Sequence, residues 1–358
     1  MKHLELFSGI GGFRRAFDLL SKDGLMSFEC VGYSEIDVKA KATYQLNYDT
    51  RGEVDMGDIV AFTSDMDRMQ TLEDFDLLSA GFPCQTFSVM GNQAGFGEDR
   101  GQMFFRIMDI IRVHHPRYVL LENVKNLYKH DNGNTYQRIQ MELEQEGYSV
   151  FPNTFNTVDF HLPQKRSRAL IFATLEDVPA DFVETFTPNA VKDLFDKNYL
   201  NTSVLHYEST IDILEPIVDN KYFLSERLKP TILADGSANF KSKSDINQLV
   251  ARTLTASMHK MHRACQDNYY SQDFIDSKGE INHVLDYTKE QLAELPIRKL
   301  TPQEAFMLQG FPAEFATNAQ CARISNGALY KQAGNAVSVN VVYAVMYYLI
   351  INNVIWKK

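Results

Sequence analysis

A cysteine in a loop bounded by glycine and proline is the residue of this sequence best placed to act as a nucleophile. Cys84 follows the predicted strand 75–79 in the run Gly81-Phe82-Pro83-Cys84-Gln85. The thiolate is the reactive form of cysteine, and it needs an electropositive, partly open setting. A lone cysteine is more often a small buried hydrophobic residue, so Cys84 alone leaves both interpretations open. The glycine-rich residues 83–102 predict a segment that can close over a substrate.

A carboxyl group and two guanidinium groups lie next to other predicted strands. Glu122 follows the predicted strand 118–121, where it could donate a proton to a ring nitrogen or simply stabilise a turn. Arg166 and Arg168 lead into the predicted strand 170–174, and strand alternation puts both on one face. Arginine recognises carbonyl oxygens, carboxylates and phosphates, although an exposed basic strand end is equally compatible with this pattern.

A glycine turn near the start of the chain indicates a ligand of the nucleoside type. The run Phe7-Ser8-Gly9-Ile10-Gly11-Gly12 connects the predicted strand 2–7 to a predicted helix at 13–20. It departs from the dinucleotide pattern G-x-G-x-x-G, but its glycines still allow a ligand to approach the backbone closely. Glu35, at the end of the predicted strand 28–34, could accept hydrogen bonds from ribose hydroxyls. A glycine turn without a ligand is the other interpretation.

The repeated order of strand, turn and helix predicts an α/β fold with a doubly wound, mostly parallel sheet. The polar residues above lie close to the carboxyl ends of predicted strands. Ligands bind at that edge in open α/β sheets, so we expect the separate motifs to share one crevice.

Composition restricts the class of protein only loosely. The chain has 358 residues, enough for two domains, and a net charge of −10, which argues weakly against a nucleic-acid partner. Its four cysteines show neither C-x-x-C nor zinc-site spacing, which favours a reducing cytoplasm and argues against a structural metal. They are Cys30, Cys84, Cys265 and Cys321. The apolar run 341–351 is shorter than the roughly 20 residues of a membrane span, so it predicts a buried helix.

The domain organisation is predicted from where the strand–helix rhythm fades. Residues 1–187 form the first domain, residues 188–292 a smaller, irregular, strand-rich second domain, and residues 293–358 a return segment. A final helix at 337–350 is expected to complete the first domain. Lys and Arg number eight between Lys221 and Arg263, against three Asp and Glu. This surplus predicts a surface that contacts phosphates, with a solvated basic face as the alternative.

Taken in order, these motifs resemble those of the DNA (cytosine-5)-methyltransferase family, and most of all the bacterial enzymes of restriction-modification systems. The resemblance covers nearly the whole chain except the middle domain. It rests on Phe7-Ser8-Gly9-x-Gly11-Gly12, Pro83-Cys84-Gln85, Glu122-Asn123-Val124, Gln164-x-Arg166-x-Arg168, Arg298-x-Leu300-Thr301-x-x-Glu304, Gln309-Gly310-Phe311-Pro312 and Gly334-Asn335.

The resemblance implies the S-adenosylmethionine-dependent methyltransferase fold, with S-adenosyl-L-methionine as the methyl donor. The residues that it assigns to this cofactor are Phe7, Gly9, Gly11, Glu35, Ile36, Asp58, Ile59, Phe82, Asn335 and Val337. Ile36 stands where many relatives have an aromatic residue, which implies weaker stacking on the adenine.

The resemblance also implies a covalent mechanism at a cytosine flipped out of the DNA duplex. Cys84 would attack carbon 6 of the ring, which activates carbon 5 for methylation. Glu122 would protonate or hydrogen-bond ring nitrogen 3, Arg168 would hold the ring carbonyl, and Arg166 would support Cys84 and its loop.

The middle domain would recognise the target sequence. The residues expected to contact DNA are Ser88, Arg252, Thr253, Lys260 and Arg263. The expected partner is double-stranded DNA, with no metal and no membrane. A restriction endonuclease is expected as a functional counterpart without direct binding, and the expected location is the bacterial cytoplasm.

Three alternatives stay open at this point. The first is a transfer-RNA cytosine-5 methyltransferase of the same fold, which the large middle domain disfavours. The second is a nicotinamide-dependent oxidoreductase, which the irregular glycine loop and the Cys84 motif disfavour. The third is a catalytically silent nucleic-acid-binding protein, which the presence of Cys84, Glu122, Arg166 and Arg168 disfavours.

Overall fold

The computed structural model describes residues 1–83, 103–235, 243–258, 260 and 265–356. Three of the predicted site residues, Cys84, Ser88 and Arg263, lie outside the described residues, as does nearly all of the predicted lid.

The strands are, in chain order, β1 (Lys2–Leu6), β2 (Glu29–Ser34), β3 (Val54–Asp55), β4 (Leu77–Gly81), β5 (Tyr118–Val124), β6 (Ser149–Asn156), β7 (Gln164–Lys165), β8 (Ser167–Thr174), β9 (Ala251–Arg252), β10 (Tyr269–Ser271) and β11 (Ile297–Lys299). The helices are α1 (Gly12–Lys22), α2 (Val38–Asn47), α3 (Ile59–Thr63), α4 (Met66–Met69), α5 (Met103–His114), α6 (Asn134–Gln145), α7 (Phe182–Thr185), α8 (Pro188–Asn198), α9 (Lys229–Leu233), α10 (Gln272–Asp276), α11 (Lys289–Glu294), α12 (Pro302–Met307), α13 (Ala313–Cys321), α14 (Asn326–Asn335) and α15 (Val339–Ile351).

The chain forms two compact units. The first unit contains Met1–Asn156, Ser167–Val204 and Val341–Lys358, and the second contains Thr157–Arg166 and Leu205–Asn340. These bounds differ from the predicted 187/188 boundary because α8 belongs to the first unit: its Val191 and Phe195 are fully buried there, and the ring of Phe195 contacts that of Tyr343. The return to the first unit comes at Val341, whereas residues 293–340 stay in the second.

A seven-stranded sheet in the order β3-β2-β1-β4-β5-β8-β6 forms the centre of the first unit. The strands from β3 to β5 are parallel to their neighbours, and β8 runs antiparallel to both β5 and β6. The predicted doubly wound, mostly parallel sheet is therefore confirmed. β3 and β6 were not predicted; β6 carries Pro152, which an edge strand tolerates because its outer side needs no hydrogen bond.

The predicted strands of the first unit correspond to β1, β2, β4, β5 and β8, with ends displaced by three residues or fewer. One displacement matters for the site. β5 continues to Val124, so Glu122 lies within the strand, two residues before its end, rather than after it. Helices cover the sheet because their apolar residues recur at helical spacing; α5, for example, buries Phe104, Ile107, Met108 and Ile111 in the core.

The second unit was predicted to be strand-rich, and its described residues contradict that prediction. Its strands are only two or three residues long, with β7 parallel to β9 and β10 antiparallel to β11. Helices α9 to α14 supply most of its regular structure. A buried ion pair fixes the start of α12: the Arg298 guanidinium donates to Glu304 at 2.7 and 2.9 Å, and neither side chain is exposed. Glu304 also accepts from the Thr301 backbone, which completes the helix cap.

The apolar C-terminal region contains two helices where the sequence predicted one. We expected a helix beginning at residue 337, but α14 ends at Asn335 and α15 begins at Val339. The whole run Asn326–Ile351 is long and apolar enough to cross a membrane by length and composition alone. However, 78% of its most apolar window is buried, as expected for a core helix of a folded domain.

Candidate active site

The glycine turn between β1 and α1 combines a packed glycine with an open one. Gly11 has φ +81°, and a Cβ there would lie 2.4 Å from a ring carbon of Tyr48. Tyr48 also donates a hydrogen bond of 2.6 Å to the Gly11 carbonyl. Gly9 has φ +57°, yet a Cβ on it would meet nothing within 4 Å. The predicted cofactor residues Gly9 and Gly11 therefore differ: Gly11 is required by packing, whereas Gly9 faces open space that a ligand can use.

Glu35 fixes the turn from the end of β2. One carboxylate oxygen accepts from the Gly9 N–H at 2.8 Å and the other from the Asp37 N–H at 2.7 Å. Burial raises the pKa of Glu35, and these two backbone hydrogen bonds act in the opposite direction. Each oxygen keeps a further lone pair that could accept from a ligand hydroxyl. The neighbouring Ile36 is 71% exposed and Val38 74%, which is unusual for aliphatic side chains and leaves an apolar surface beside Glu35.

The other predicted cofactor residues of the first unit divide by exposure. Asp58 is exposed and caps α3 by accepting from the Val60 N–H at 2.9 Å. Ile59 and Phe82 are buried and pack in the hydrophobic core. Phe7 has φ +54°, donates from its N–H to the Ser34 hydroxyl at 3.1 Å, and is only partly buried. Phe7 and Asp58 are thus accessible to a ligand, whereas the side chains of Ile59 and Phe82 are buried in the core.

Glu122 and Arg168 meet at the ends of two neighbouring strands. In the antiparallel pairing of β5 with β8, Val124 lies opposite Arg168. The Arg168 side chain therefore lies close to that of Glu122, two residues earlier in β5. The distance between Arg168 Nε and Glu122 Oε1 is 3.0 Å, and both side chains are mostly buried. A Cβ on Gly81 would lie 3.6 Å from the other carboxylate oxygen. A carboxyl group and a guanidinium group are thus held together at the end of β4, three residues before Cys84 in the sequence.

Asn123 also belongs to this site, although its motif predicted no role for it. Its side-chain amide donates to the Phe82 carbonyl at 3.0 Å, and its amide oxygen accepts from the Val124 N–H at 2.8 Å. Asn123 therefore ties the end of β5 to the residue where the Cys84 loop begins. Ser8 was also missed: its hydroxyl is buried without a hydrogen-bond partner among the described residues. Only the three-dimensional packing reveals that this hydroxyl lacks a partner.

Arg166 does not share a face with Arg168, contrary to the prediction from strand alternation. It falls between β7 and β8 and belongs to the second unit, whereas Arg168 belongs to the first. The buried guanidinium donates to three backbone carbonyls, those of Leu254 at 3.0 Å, Gly334 at 3.1 Å and Ala336 at 2.7 Å. Arg166 therefore braces the second unit. Its predicted support of Cys84 remains a prediction, because Cys84 lies outside the described residues.

Two of the residues predicted to contact DNA make hydrogen bonds inside the protein. The Arg252 guanidinium donates to the Asp245 carbonyl at 2.9 Å, and the Thr253 hydroxyl donates to the Lys165 carbonyl. Lys260 is exposed. The donor groups of Arg252 and Thr253 are thus partly occupied inside the protein.

Two predicted cofactor residues lie in the second unit. Asn335 is the last residue of α14 and is exposed, and Val337 lies between α14 and α15 and is buried. Among the described residues, no group of three or more His, Cys, Asp or Glu side chains could hold a metal ion.

A family model described as C-5 cytosine-specific DNA methylase matches residues 1–350. The chain belongs to this family. The chain is similar to the Type II methyltransferase M.HaeII of Haemophilus aegyptius, with 32% identity over 96% of the chain and 91% of that protein. It is also similar to M.DsaV of Dactylococcopsis salina (34%, covering 96% and 84%) and to M.HhaI of Haemophilus parahaemolyticus (30%, covering 97% and 93%).

Solved structures of low sequence identity share the fold. The crystal structure of the S. pombe Dnmt2 methyltransferase superposes with a TM-score of 0.71 at 20% identity, covering 99% of this chain and 100% of that one. The methyltransferase EhMeth of Entamoeba histolytica gives 0.70 at 17% identity, covering 99% of each chain. The family match and the relatives together establish a DNA cytosine-5-methyltransferase. The oxidoreductase and silent-binder alternatives are therefore excluded.

Proposed function

We propose that this methyltransferase acts on a flipped-out cytosine in a short, specific sequence of double-stranded DNA, through a covalent bond between Cys84 and carbon 6. The observation that carries the proposal is the pairing of Glu122 with Arg168 at 3.0 Å beside Gly81. A proton donor and a carbonyl-binding guanidinium held at one strand edge, next to a cysteine loop, are the groups that this chemistry requires.

We propose S-adenosyl-L-methionine as the methyl donor, because the described residues of the glycine turn suit it. The open space beside Gly9 allows a ligand to lie against the backbone. The unpartnered Ser8 hydroxyl offers a polar contact, and Glu35 offers acceptors for ribose hydroxyls. The exposed Ile36 offers an apolar surface for an adenine ring. When bound, this cofactor supplies an electrophilic methyl group. Phe7, Asp58, Asn335 and Val337 keep their assignment to the cofactor as part of the proposal.

The residues of the chain act on the cytosine ring in a fixed order. The Cys84 thiolate adds to carbon 6, and Glu122 donates a proton or a hydrogen bond to ring nitrogen 3, so that electron density moves to carbon 5. Arg168 donates to the ring carbonyl and holds the ring in place. After carbon 5 is methylated, the loss of its proton breaks the bond from Cys84 to carbon 6 and restores the thiolate.

We also propose that the modification protects host DNA within a restriction-modification system. The relatives described above are Type II methyltransferases, and the chain covers most of their length. A restriction endonuclease of the same specificity would then be a functional counterpart that need not bind this protein, and both would act in the cytoplasm.

Bisulfite sequencing of DNA from a bacterial host that expresses the protein tests the function and the target together. We expect protected cytosines within one short recurring sequence. A folded protein that binds S-adenosylmethionine but protects no cytosine would refute the proposal.

Two substitutions test the assignment of roles. Cys84→Ala should abolish methyl transfer and leave cofactor binding intact, whereas Cys321→Ala, at an exposed cysteine, should leave turnover unchanged and serves as the control. Glu122→Gln should lower turnover by about 10²- to 10⁴-fold, because the amide keeps the shape but cannot transfer a proton. Undiminished turnover in Cys84→Ala would rule out the covalent route.

A further inference from the structure

Six residues of the second unit, Ala251–Ala256, form a segment that we call the recognition strap because it contains the Arg252 and Thr253 positions assigned to DNA. Residues 163–166 hold this strap along its length. The Ala251 N–H donates to the Pro163 carbonyl at 2.7 Å, and the Leu254 N–H donates to the Gln164 side chain at 2.9 Å. Asn268 holds the other side, because its amide group bonds both the N–H and the carbonyl of Arg252.

The Arg166 guanidinium joins the strap to a second segment, Gly334–Val337, which we call the cofactor segment because Asn335 and Val337 are assigned to the cofactor. It donates to the strap carbonyl of Leu254 and to two carbonyls of the cofactor segment. Gly334 lies in the last turn of α14, where helix carbonyls lack intrahelical partners and a positive charge is favoured. The buried Arg166 guanidinium thus supplies hydrogen bonds to three carbonyls at once.

A direct backbone contact connects the same two segments. A Cβ on Gly334 would lie 2.2 Å from the carbonyl carbon of Thr255 and 2.3 Å from the nitrogen of Ala256. Only glycine permits this approach, because the obstructing atoms are backbone and cannot rotate away. The strap therefore cannot shift without displacing the end of α14.

We propose that Arg166 and Gly334 make the recognition strap and the cofactor segment one mechanical element, so that DNA binding and cofactor binding are thermodynamically coupled through it. Arg166 is then a positioning residue whose action passes through the carbonyls of Leu254, Gly334 and Ala336. This inference rests on the proposed function. It goes further, because it assigns communication between the two substrates to a named junction inside the second unit.

Linkage requires that the coupling be reciprocal: if DNA tightens cofactor binding by some factor, the cofactor tightens DNA binding by the same factor. The experiment measures the dissociation constant of S-adenosylhomocysteine with and without a duplex carrying the target found by bisulfite sequencing. It then measures the dissociation constant of the duplex with and without S-adenosylhomocysteine. We expect a factor of about 5- to 150-fold in the wild-type protein. Arg166→Gln should bring it towards one, and Arg166→Lys, which keeps the charge but not the planar fork, should give an intermediate value.

A purely structural role would produce a different result. Arg298→Lys alters another fully buried arginine of the same unit, whose bonds go to Glu304 and to carbonyls outside the two segments. It should lower the unfolding temperature and leave the coupling factor unchanged. Gly334→Ala, which forces the backbones apart while Arg166 remains, should lower the factor as Arg166→Gln does. Should Gly334→Ala fail to fold, the graded series at Arg166 still tests the inference.

The outcomes separate this inference from the proposed function. A wild-type protein that methylates DNA but shows a factor of one, or an Arg166→Gln variant that keeps the wild-type factor while its unfolding temperature falls, overturns the inference alone. An equal loss of coupling in Arg298→Lys overturns it as well. A wild-type protein that neither binds nor methylates DNA overturns both.

Discussion

The two glycines of the turn between β1 and α1 offer a matched test of packing against ligand binding. Gly9 and Gly11 both have a positive φ, so alanine at either position carries a backbone cost of about 1–2 kcal/mol. At Gly11 the new methyl group would also overlap the Tyr48 and Tyr44 rings, 2.4 and 2.9 Å from the Cβ position. Tyr44 and Tyr48 are both buried, and overpacking of this kind costs about 1–3 kcal/mol more.

We therefore expect Gly11→Ala to lower the free energy of unfolding by about 2–5 kcal/mol and Gly9→Ala by only about 1–2 kcal/mol. For cofactor affinity we expect the reverse order, with the larger loss in Gly9→Ala. The Gly9 methyl group would occupy the space assigned to the ligand, and we expect a dissociation constant at least about tenfold higher, a loss of about 1.4 kcal/mol. The assays are denaturant unfolding without ligand and calorimetric titration with S-adenosylmethionine.

Gly52→Ala provides the control for backbone cost alone. Gly52 has φ +88° and no neighbour within 4 Å of its Cβ position, and it lies outside the assigned site. It should match Gly9→Ala in stability and the wild-type protein in cofactor affinity. A Gly11→Ala variant as stable as Gly52→Ala would contradict the packing argument, and unchanged cofactor binding in Gly9→Ala would contradict the location of the cofactor.

Three further predictions concern buried polar groups. Burial raises the pKa of Glu5 from 4.5 to about 8, so the folded state loses stability as the pH rises between those values. The stability of Glu5→Gln relative to wild type should therefore increase by about 3 kcal/mol between about pH 5.5 and pH 8.5, and a difference in unfolding free energy that stays flat with pH would refute this. Arg298→Met leaves the Glu304 carboxylate buried without its cation and should lower the free energy of unfolding by about 3–5 kcal/mol, as measured with denaturant. Adding Glu304→Leu to this variant should restore most of that loss. If the losses of the two single variants simply add in the double variant, the ion-pair argument is wrong. Asn123→Ala releases the Phe82 carbonyl and should lower kcat without changing cofactor affinity, so unchanged steady-state kinetics would exclude a role in placing the cysteine loop.

The strand-end rule predicted the position of Glu122, because that rule depends only on chain direction. Arg168 stands near the start of its strand, and it reaches the same sheet edge because β8 runs antiparallel to β5, an orientation that was not predicted. Glu122 and Arg168 were expected at one sheet edge, and they meet there. Their contact nevertheless depends on the antiparallel register that pairs Val124 with Arg168, and no local pattern encodes a register between distant strands.

The prediction from strand alternation failed at Arg166 for a physical reason. Alternation places residues two apart on one face only within a continuous strand, and β8 begins at Ser167. The final helix was predicted to within two residues, but α14 was not predicted, because the apolar run from 341 dominated the pattern. The sequence did contain a weaker signal for α14, because the Ser325 side chain caps this helix by accepting from the Ala328 N–H. A single capping serine has little weight by itself.

Charge counting overestimated the free cations of the middle region. Lys229 is buried and pairs with Glu226, and Lys221 pairs with Asp219. Arg252 donates to carbonyls. A surplus in composition shows how many cations a segment contains, but only the structure shows which of them have partners inside the protein.

The motif residues divide into two kinds by the state of their polar atoms. Gln164 and Arg166 are buried and donate to backbone carbonyls, so their chemistry is largely used in building the second unit. Ser8 instead retains a buried hydroxyl without a hydrogen-bond partner, Gly9 faces open space and Glu35 keeps spare lone pairs, which are the properties of groups that a ligand can contact. A motif therefore indicates the family, but which of its residues contact a ligand follows from which polar atoms folding leaves without a partner. By that criterion Ser8, Gly9 and Glu35 are the stronger candidates for direct cofactor contact, and Arg166 is the stronger candidate for positioning.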